Sequence, residues 1–354
     1  MCDCLKRIPI LLIMLIAFLF ITGCTSAPAQ PPQTLPLSGG TTQTMATIRI
    51  GYLPTTSFGP IFIAKEEGYF ARQGIDVELV KVPDVATALP LLISGDLDVS
   101  GGQMTAGMLN VVSKGQHVRV VADKGQVVPN ASCTVYALMV RRDLYDNGIV
   151  TKVSDLRGRK VMGNSGEQSY GVGRALALGN LTTDDVTLMA MDYPTAMAAF
   201  RNGGLDAGLV TEPYITQALN NRSAVVLVPG GEFVPGWAIP IYYGPSLLDK
   251  NPDLGRRFMV AYLQGVRQYN QGKTPRNLAI MQQYTGISTA VLNQSCWYPI
   301  AADGEVPWEP VASFEDWLYQ KKMITEKVNE SQAFDLSFVR SANTVLGNFS
   351  AAVP

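Results

Sequence analysis

Histidine is almost missing from this chain: His117 is the only one in 354 residues. A Ser-His-Asp triad or a His-based zinc site would have to be built on that single ring. The ring sits in Gly115-Gln116-His117-Val118, ahead of an apolar strand, in a position suited to a turn. Cysteine is scarce in a different way. The five cysteines contain no CxxC pair and no Cys/His cluster. Charge is sparse and balanced, at 16% charged residues and a formal net charge of -1. Nucleic-acid binders need clustered Lys and Arg, so nucleic acid is not an expected partner. No polybasic stretch offers an anionic membrane surface a contact either. Neither catalysis of the His-dependent kinds, nor a metal, nor a cofactor is expected.

What is present begins at the N-terminus. Lys6 and Arg7 precede an almost unbroken apolar run, Ile8 to Ile21. A spanning helix needs about 20 such residues, so the run has the length of a signal-peptide core. It ends in Ile21-Thr22-Gly23-Cys24, which resembles the lipobox of bacterial-type lipoproteins. That resemblance implies a cleaved signal over residues 1–23 and a diacylglyceryl group on the Cys24 thiol. The alternative is an uncleaved N-terminal anchor, and both place the remainder outside the cytoplasm. Residues 24–45, rich in Pro, Gln, Ser, Thr and Gly, have almost nothing to bury and read as a disordered tether. Cys133 and Cys296 remain in the body, where a disulfide and a buried thiol pair are both compatible with the sequence.

From Ala46 onward, apolar strands alternate with helical segments. Thr47 to Tyr52 alternates, and Pro60 opens a helix at a first-turn position. Val77–Val82, Val118–Ala122, Tyr136–Val140, Val161–Gly163, Val186–Met191 and Val225–Val228 continue the series. This is an α/β pattern with mostly parallel sheets flanked by helices. An internal near-repeat divides it. The helix Ala86 to Ile93 runs into Ser94-Gly95-Asp96-Leu97-Asp98-Val99, and the helix Thr195 to Arg201 into Asn202-Gly203-Gly204-Leu205-Asp206-Ala207. Each unit has a Gly suited to a left-handed helix C-cap, a short strand, then a polar loop. Two such units can face their strand-end loops across one crevice, where open α/β sheets bind ligands.

Longer segments carry a family resemblance. Gly51 to Pro54 (GYLP), Gly59 to Val80, Leu92 to Leu109, Val153 to Val161, Ala196 to Tyr214 and Gly265 to Asn270 together resemble type II periplasmic binding proteins of the nitrate/sulfonate/taurine and thiamine-precursor group. The resemblance implies a two-lobed fold with the ligand cleft between the lobes. Lobe one would comprise residues 46–134 and 240–354, and lobe two residues 135–239, with hinges near Cys133–Tyr136 and Trp237–Ile241. The C-terminal helices would wrap back onto lobe one. It also implies a monomer that captures a small solute by lobe closure and presents it to the permease and ATPase of an ABC importer.

The candidate site follows from strand-end loops and helix N-termini, whose unpaired N–H groups hold oxyanions. Thr55, Thr56 and Ser57 follow the first strand, and Gln103, Met104 and Thr105 open a helix. Ser165, Gly166, Gln168, Ser169 and Tyr170 follow the Val161 strand, and Thr211 and Glu212 form the matching loop of the second unit. Glu212 faces the cleft or caps the following helix. Tyr170 and Trp237 can wall an apolar ligand body. Lys124 is the nearest cation, with a solvated position as its alternative. The chemistry suits a sulfonate, taurine-like, nitrate-like or related anion, with a pyrimidine-type thiamine precursor as the variant. A sensory lipoprotein would share these residues, whereas the pyrimidine-synthesis enzymes of the wider fold use His and clustered Cys. Asn-x-Ser/Thr at Asn130, Asn180, Asn221, Asn293, Asn329 and Asn348 is open to glycosylation in a host with that machinery. Cys24→Ser is expected to move the protein from the membrane to the soluble fraction on cell fractionation; retention in the membrane would indicate an uncleaved anchor.

Overall fold

A computed structural model describes residues 45–163 and 167–347, with backbone alone for 167–169. The expected signal peptide, the expected lipidation residue Cys24, the expected tether as far as residue 44, and Ser165 and Gly166 lie outside the described residues. Among the described residues the strands are β1 (Ala46–Tyr52), β2 (Ile75–Lys81), β3 (Val99–Gly101), β4 (Arg119–Gln126), β5 (Tyr136–Arg141), β6 (Lys160–Met162), β7 (Thr187–Met189), β8 (Ala207–Thr211), β9 (Ala224–Pro229) and β10 (Ala238–Tyr243). They form two sheets, ordered β2-β1-β3-β10-β4 and β7-β6-β8-β5-β9.

The two sheets have one plan. Three parallel strands lie on one side, with β1 between β2 and β3 and β6 between β7 and β8. A reversed strand follows, β10 in the first sheet and β5 in the second, pairing antiparallel with both its neighbours. The sheets are therefore mixed, with four of five strands running one way. The cause is connectivity. β4 and β9 run toward the end where the chain crosses between sheets. The strand entered after each crossing, β5 or β10, must run away from that end. Apolar runs report burial and carry no direction, so the sequence did not show the reversal.

The near-repeat has a physical basis. Gly95 and Gly203 both take the left-handed conformation, with φ of 85° and 77°, and end their helices. Asp98 accepts the Arg49 backbone N–H at 2.8 Å, and Asp206 accepts that of Lys160 at 3.0 Å. Each Asp thereby fastens the start of the third strand of its sheet to the parallel strand beside it. The first sheet buries Ile48, Ile50 and Val99, and the second Leu138, Val161 and Leu209.

Beyond β10, the helix Pro252–Tyr269 packs on Gly59–Glu66 and on Ser337–Leu346, covering the first sheet. The C-terminal segment also reaches the helix Glu167–Ala177, which packs on β8 of the second sheet. Phe314 and Trp317 of the helix Glu309–Gln320 meet the Tyr170 ring, with centroids 4.8 and 5.1 Å apart. Cys133 and Cys296 are joined in a disulfide, with Cα atoms 5.6 Å apart. Of the two arrangements open at the sequence level, the disulfide is the one present. His117 lies in an exposed turn with its Nδ1 2.9 Å from Asp249. No described helix is long and apolar enough to cross a membrane.

Gly265 lets the helix Pro252–Tyr269 approach the backbone of Gly59–Glu66 closely. A Cβ there would stand 2.2 Å from the Pro60 carbonyl oxygen. Gly265→Ala gains up to about 1 kcal/mol of helix propensity, yet forces two backbones apart. A net loss of about 1–2 kcal/mol in urea unfolding is expected, in the range of other overpacked cores.

Candidate functional site

The carboxyl ends of the parallel strands of both sheets open onto one cleft. Its cavity measures about 50 Å³ and opens to solvent at its mouth. Thr55, Ser57 and Phe58 after β1, Asp84 after β2, Gln103 after β3 and Lys124 of β4 line it from the first sheet. Met191, Asp192 and Tyr193 after β7 and Thr211 at the end of β8 line it from the second, and Tyr298 of the C-terminal segment joins them.

Lys124 dominates the chemistry. Its side chain is 1% exposed, and its Nζ donates to Ser57 Oγ at 2.8 Å. The ammonium lies 4.1 Å from the centroid of the Phe58 ring, within cation–π range. Ser57 Oγ in turn stands 3.1 Å from Thr55 Oγ1. Gly101 makes this burial possible, because a Cβ there would meet Lys124 Cε at 2.7 Å. Burial pushes the Lys124 ammonium down to about 7, against the pull of neighbouring Asp123. Asp123 faces the other way along the strand. It accepts the N–H groups of Ala301 and Gly125 at 2.7 and 2.9 Å, and burial raises its carboxyl to about 6.

The two flanking carboxylates are already engaged. Asp84 accepts the Thr87 N–H and caps the helix Val85–Ser94; Asp192 accepts the Thr195 N–H and caps Tyr193–Asn202. Hydrogen bonding from Thr195 holds the Asp192 carboxyl below its usual range, with Lys81 adding attraction from β2. On the far wall, Thr211 Oγ1 lies 3.1 Å from the Val135 carbonyl and 2.6 Å from the Tyr298 hydroxyl. The one Thr211 proton goes to the carbonyl, so Tyr298 donates to Thr211, leaving the Tyr298 oxygen able to accept.

Of the residues singled out in the sequence, Thr55, Ser57, Gln103 and Thr211 line the cleft, as does Lys124. Thr56 is buried behind them, its Oγ1 without a hydrogen-bond partner. Met104 is buried against Tyr242. Thr105 caps the helix Ala106–Ser113 by accepting the Met108 N–H. Glu212 turns inward. Its carboxylate accepts from the Thr216 N–H and hydroxyl and from the Cys296 N–H, so it caps and braces rather than facing solute. Tyr170 and Trp237 pack edge to face, 5.4 Å apart, in an aromatic cluster with Phe314. Gln168 and Ser169 lie in the first turn of the helix Glu167–Ala177, their side chains outside the description. The sequence reading missed Asp84, Asp192, Tyr193 and Tyr298. For the two aspartates a signal existed: Asp84, Gly95 and Asp98 recur at the same spacing as Asp192, Gly203 and Asp206.

The family model described as NMT1/THI5 like matches residues 55–271, spanning β2 through β10 and the loop that carries Ser57. The chain belongs to the NMT1/THI5-like family. Among curated relatives, the riboflavin-binding protein RibY of Chloroflexus aurantiacus is 23% identical over 273 residues, 74% of each chain. The nitrate-binding protein NrtA of Synechocystis PCC 6803 superposes with a TM-score of 0.71 at 14% identity, covering 86% of this chain and 89% of that one. The alkanesulfonate-binding protein SsuA of Xanthomonas axonopodis does so at 0.67 and 19%, covering 82% and 98%. These likenesses establish the type II solute-binding fold for this NMT1/THI5-like chain. Its described residues hold no group of three His, Cys, Asp or Glu able to take a metal ion.

Lys124→Met tests the electrostatics. Between about pH 7 and the ordinary lysine value of 10.5, the unfolded chain holds a proton the folded protein has released. Stability therefore rises with pH across that window, and at lower pH the buried charge carries its whole cost. The variant is expected to melt higher than wild type at pH 6 in calorimetry, with the gain shrinking toward pH 10. A lower melting temperature at pH 6 would contradict this account.

Proposed function

We propose that this chain is the lipid-anchored, extracytoplasmic substrate-binding component of an ABC importer. It captures a small solute with an anionic end, such as a sulfonate, carboxylate or nitrate-like group. The observation that carries the reading is the Lys124 ammonium, buried at a cleft between equivalent ends of two sheets. Ser57 uses one of its three hydrogens, so two donors remain for a solute oxyanion. The relatives' names supply the transport setting, with a permease and ATPase as partners. A second reading is favoured by the aromatic walls. Phe58, Tyr193 and Tyr298 border the cleft with aromatic rings, which suits stacking on a heteroaromatic solute such as a pyrimidine-type precursor or a flavin-like ring.

A thermal-shift and native mass spectrometry screen over sulfonates, nitrate, carboxylates, pyrimidines and riboflavin tests both readings. A true solute at 100 times its Kd adds about 2.7 kcal/mol of stability. For an anion, affinity is expected to fall about tenfold per pH unit above pH 7, as Lys124 loses its proton. Lys124→Met should abolish that binding. A pH-independent ligand held by the aromatic walls would favour the second reading, and failure of every solute to stabilise the protein would remove both.

A further inference from the structure

We infer that residues 295–301 form a strap across the two sheets that acts as a third element of the hinge, with Tyr298 as its positioning residue. The chain crosses between sheets twice by covalent connection, after β4 and after β9. The strap adds a link far along the sequence. One end is held at the second sheet, where the Cys296 N–H donates to Glu212 Oε1 at 3.0 Å and the Tyr298 hydroxyl to Thr211 at 2.6 Å. The other end is held at β4 of the first sheet. The Gln126 N–H donates to the Pro299 carbonyl at 3.1 Å, and the Ala301 N–H to Asp123 Oδ2 at 2.7 Å. The Tyr269 hydroxyl, from the helix that covers the first sheet, donates to the Tyr298 carbonyl at 3.1 Å.

The disulfide fastens this strap to the first crossover, since Cys133 lies between β4 and β5. Rotation of the second sheet against the first must therefore pivot beside Cys296. The Tyr298 ring packs under β4, where a Cβ on Gly125 would stand 2.9 Å from it, while its hydroxyl reaches β8. One side chain thus walls the cleft and ties the second sheet to the first. Glu212, which sequence reasoning left between cleft and cap, belongs to this device. Its carboxylate joins the strap to the helix after β8.

The strap rests on the binding-protein reading only for its consequence, that a looser hinge binds more weakly. Its test uses no solute. Spin labels introduced through non-natural amino acids at the exposed Glu78 of β2 and Thr187 of β7 report the distance between the outer edges of the sheets by double electron–electron resonance. Reducing the wild-type protein, or Cys133→Ser with Cys296→Ser, is expected to broaden the distance distribution. Tyr298→Phe should lower the share of the shortest distances about two- to tenfold, the shift that one net hydrogen bond commands. Thr211→Val should reproduce that change and Thr211→Ser, which keeps the hydroxyl, should not. Far-ultraviolet circular dichroism and urea unfolding confirm that each form is folded when measured. An unchanged distribution in the reduced protein and in Tyr298→Phe would overturn the inference. So would broadening in Thr211→Ser as large as in Thr211→Val.

Discussion

Passage between the two sheets takes place at one end only, the carboxyl end of the parallel strands, and the architecture follows from that constraint. The chain arrives at this end on β4 and on β9, and so must leave it on a reversed strand. The loops after β1, β2, β3, β7 and β8 all discharge at the same end, together with the helix N-termini they open. Crossover, loops and helix starts thus share one small volume. The placement of the cleft is a consequence of this connectivity. The C-terminal segment adds Tyr298 to the same place from far along the chain.

Within that volume the costliest group is Lys124. An ammonium removed from water loses solvation that one hydroxyl and one aromatic face replace only in part. A cation–π contact contributes about 0.5–2 kcal/mol and a hydrogen bond to a charged group about 1.5–3 kcal/mol. Those gains fall short of the solvation lost, which is why the ammonium titrates near neutrality. Asp123 gives limited help because backbone N–H groups on the far side already engage its oxygens. A fold under selection for stability alone would place Met or Leu at position 124. The charge makes sense where a solute completes its shell, and the room left by Gly101 shows that neighbouring positions accommodate it.

The sequence made the plan legible to the extent that local physics repeats. Gly95 and Gly203 announced left-handed helix ends, and the Leu97-Asp98 and Leu205-Asp206 strand starts announced equivalent strands, because each does the same backbone work in both halves. Thr55, Ser57, Gln103 and Thr211 were legible as strand-end polar residues. Illegible were contacts set by sequence-distant packing. Nothing near Tyr298 reveals that it meets Thr211, and the Cys133–Cys296 pair could be named but not decided between disulfide and thiols, since both pairings depend on the path of the C-terminal segment. Strand direction was hidden for a similar reason. Lys124 could be named but not placed, because its burial depends on a glycine in the neighbouring part of the sheet. Thr105 and Glu212 are polar for capping, a use that residue type alone does not separate from solute contact.

The distribution of charge around the cleft narrows what a solute must bring. Helix N-termini reach it from both sides, at Val85 and at Tyr193, and two bare helix ends would favour an anion strongly. Here each carries its own aspartate, and Asp84 and Asp192 already satisfy the first-turn N–H groups they cap. The positive ends are therefore largely spent, and net attraction for an anion falls to Lys124, a single group half-charged near pH 7. One such charge gives modest affinity to a small inorganic ion. In the binding reading, the remainder has to come from area, through contact of a solute body with Phe58, Met191, Tyr193 and Tyr298 when the walls approach. Selection then rests on the fit of an organic body as much as on its charged end, which makes the position of Tyr298, set by the strap, a determinant of which solutes fit.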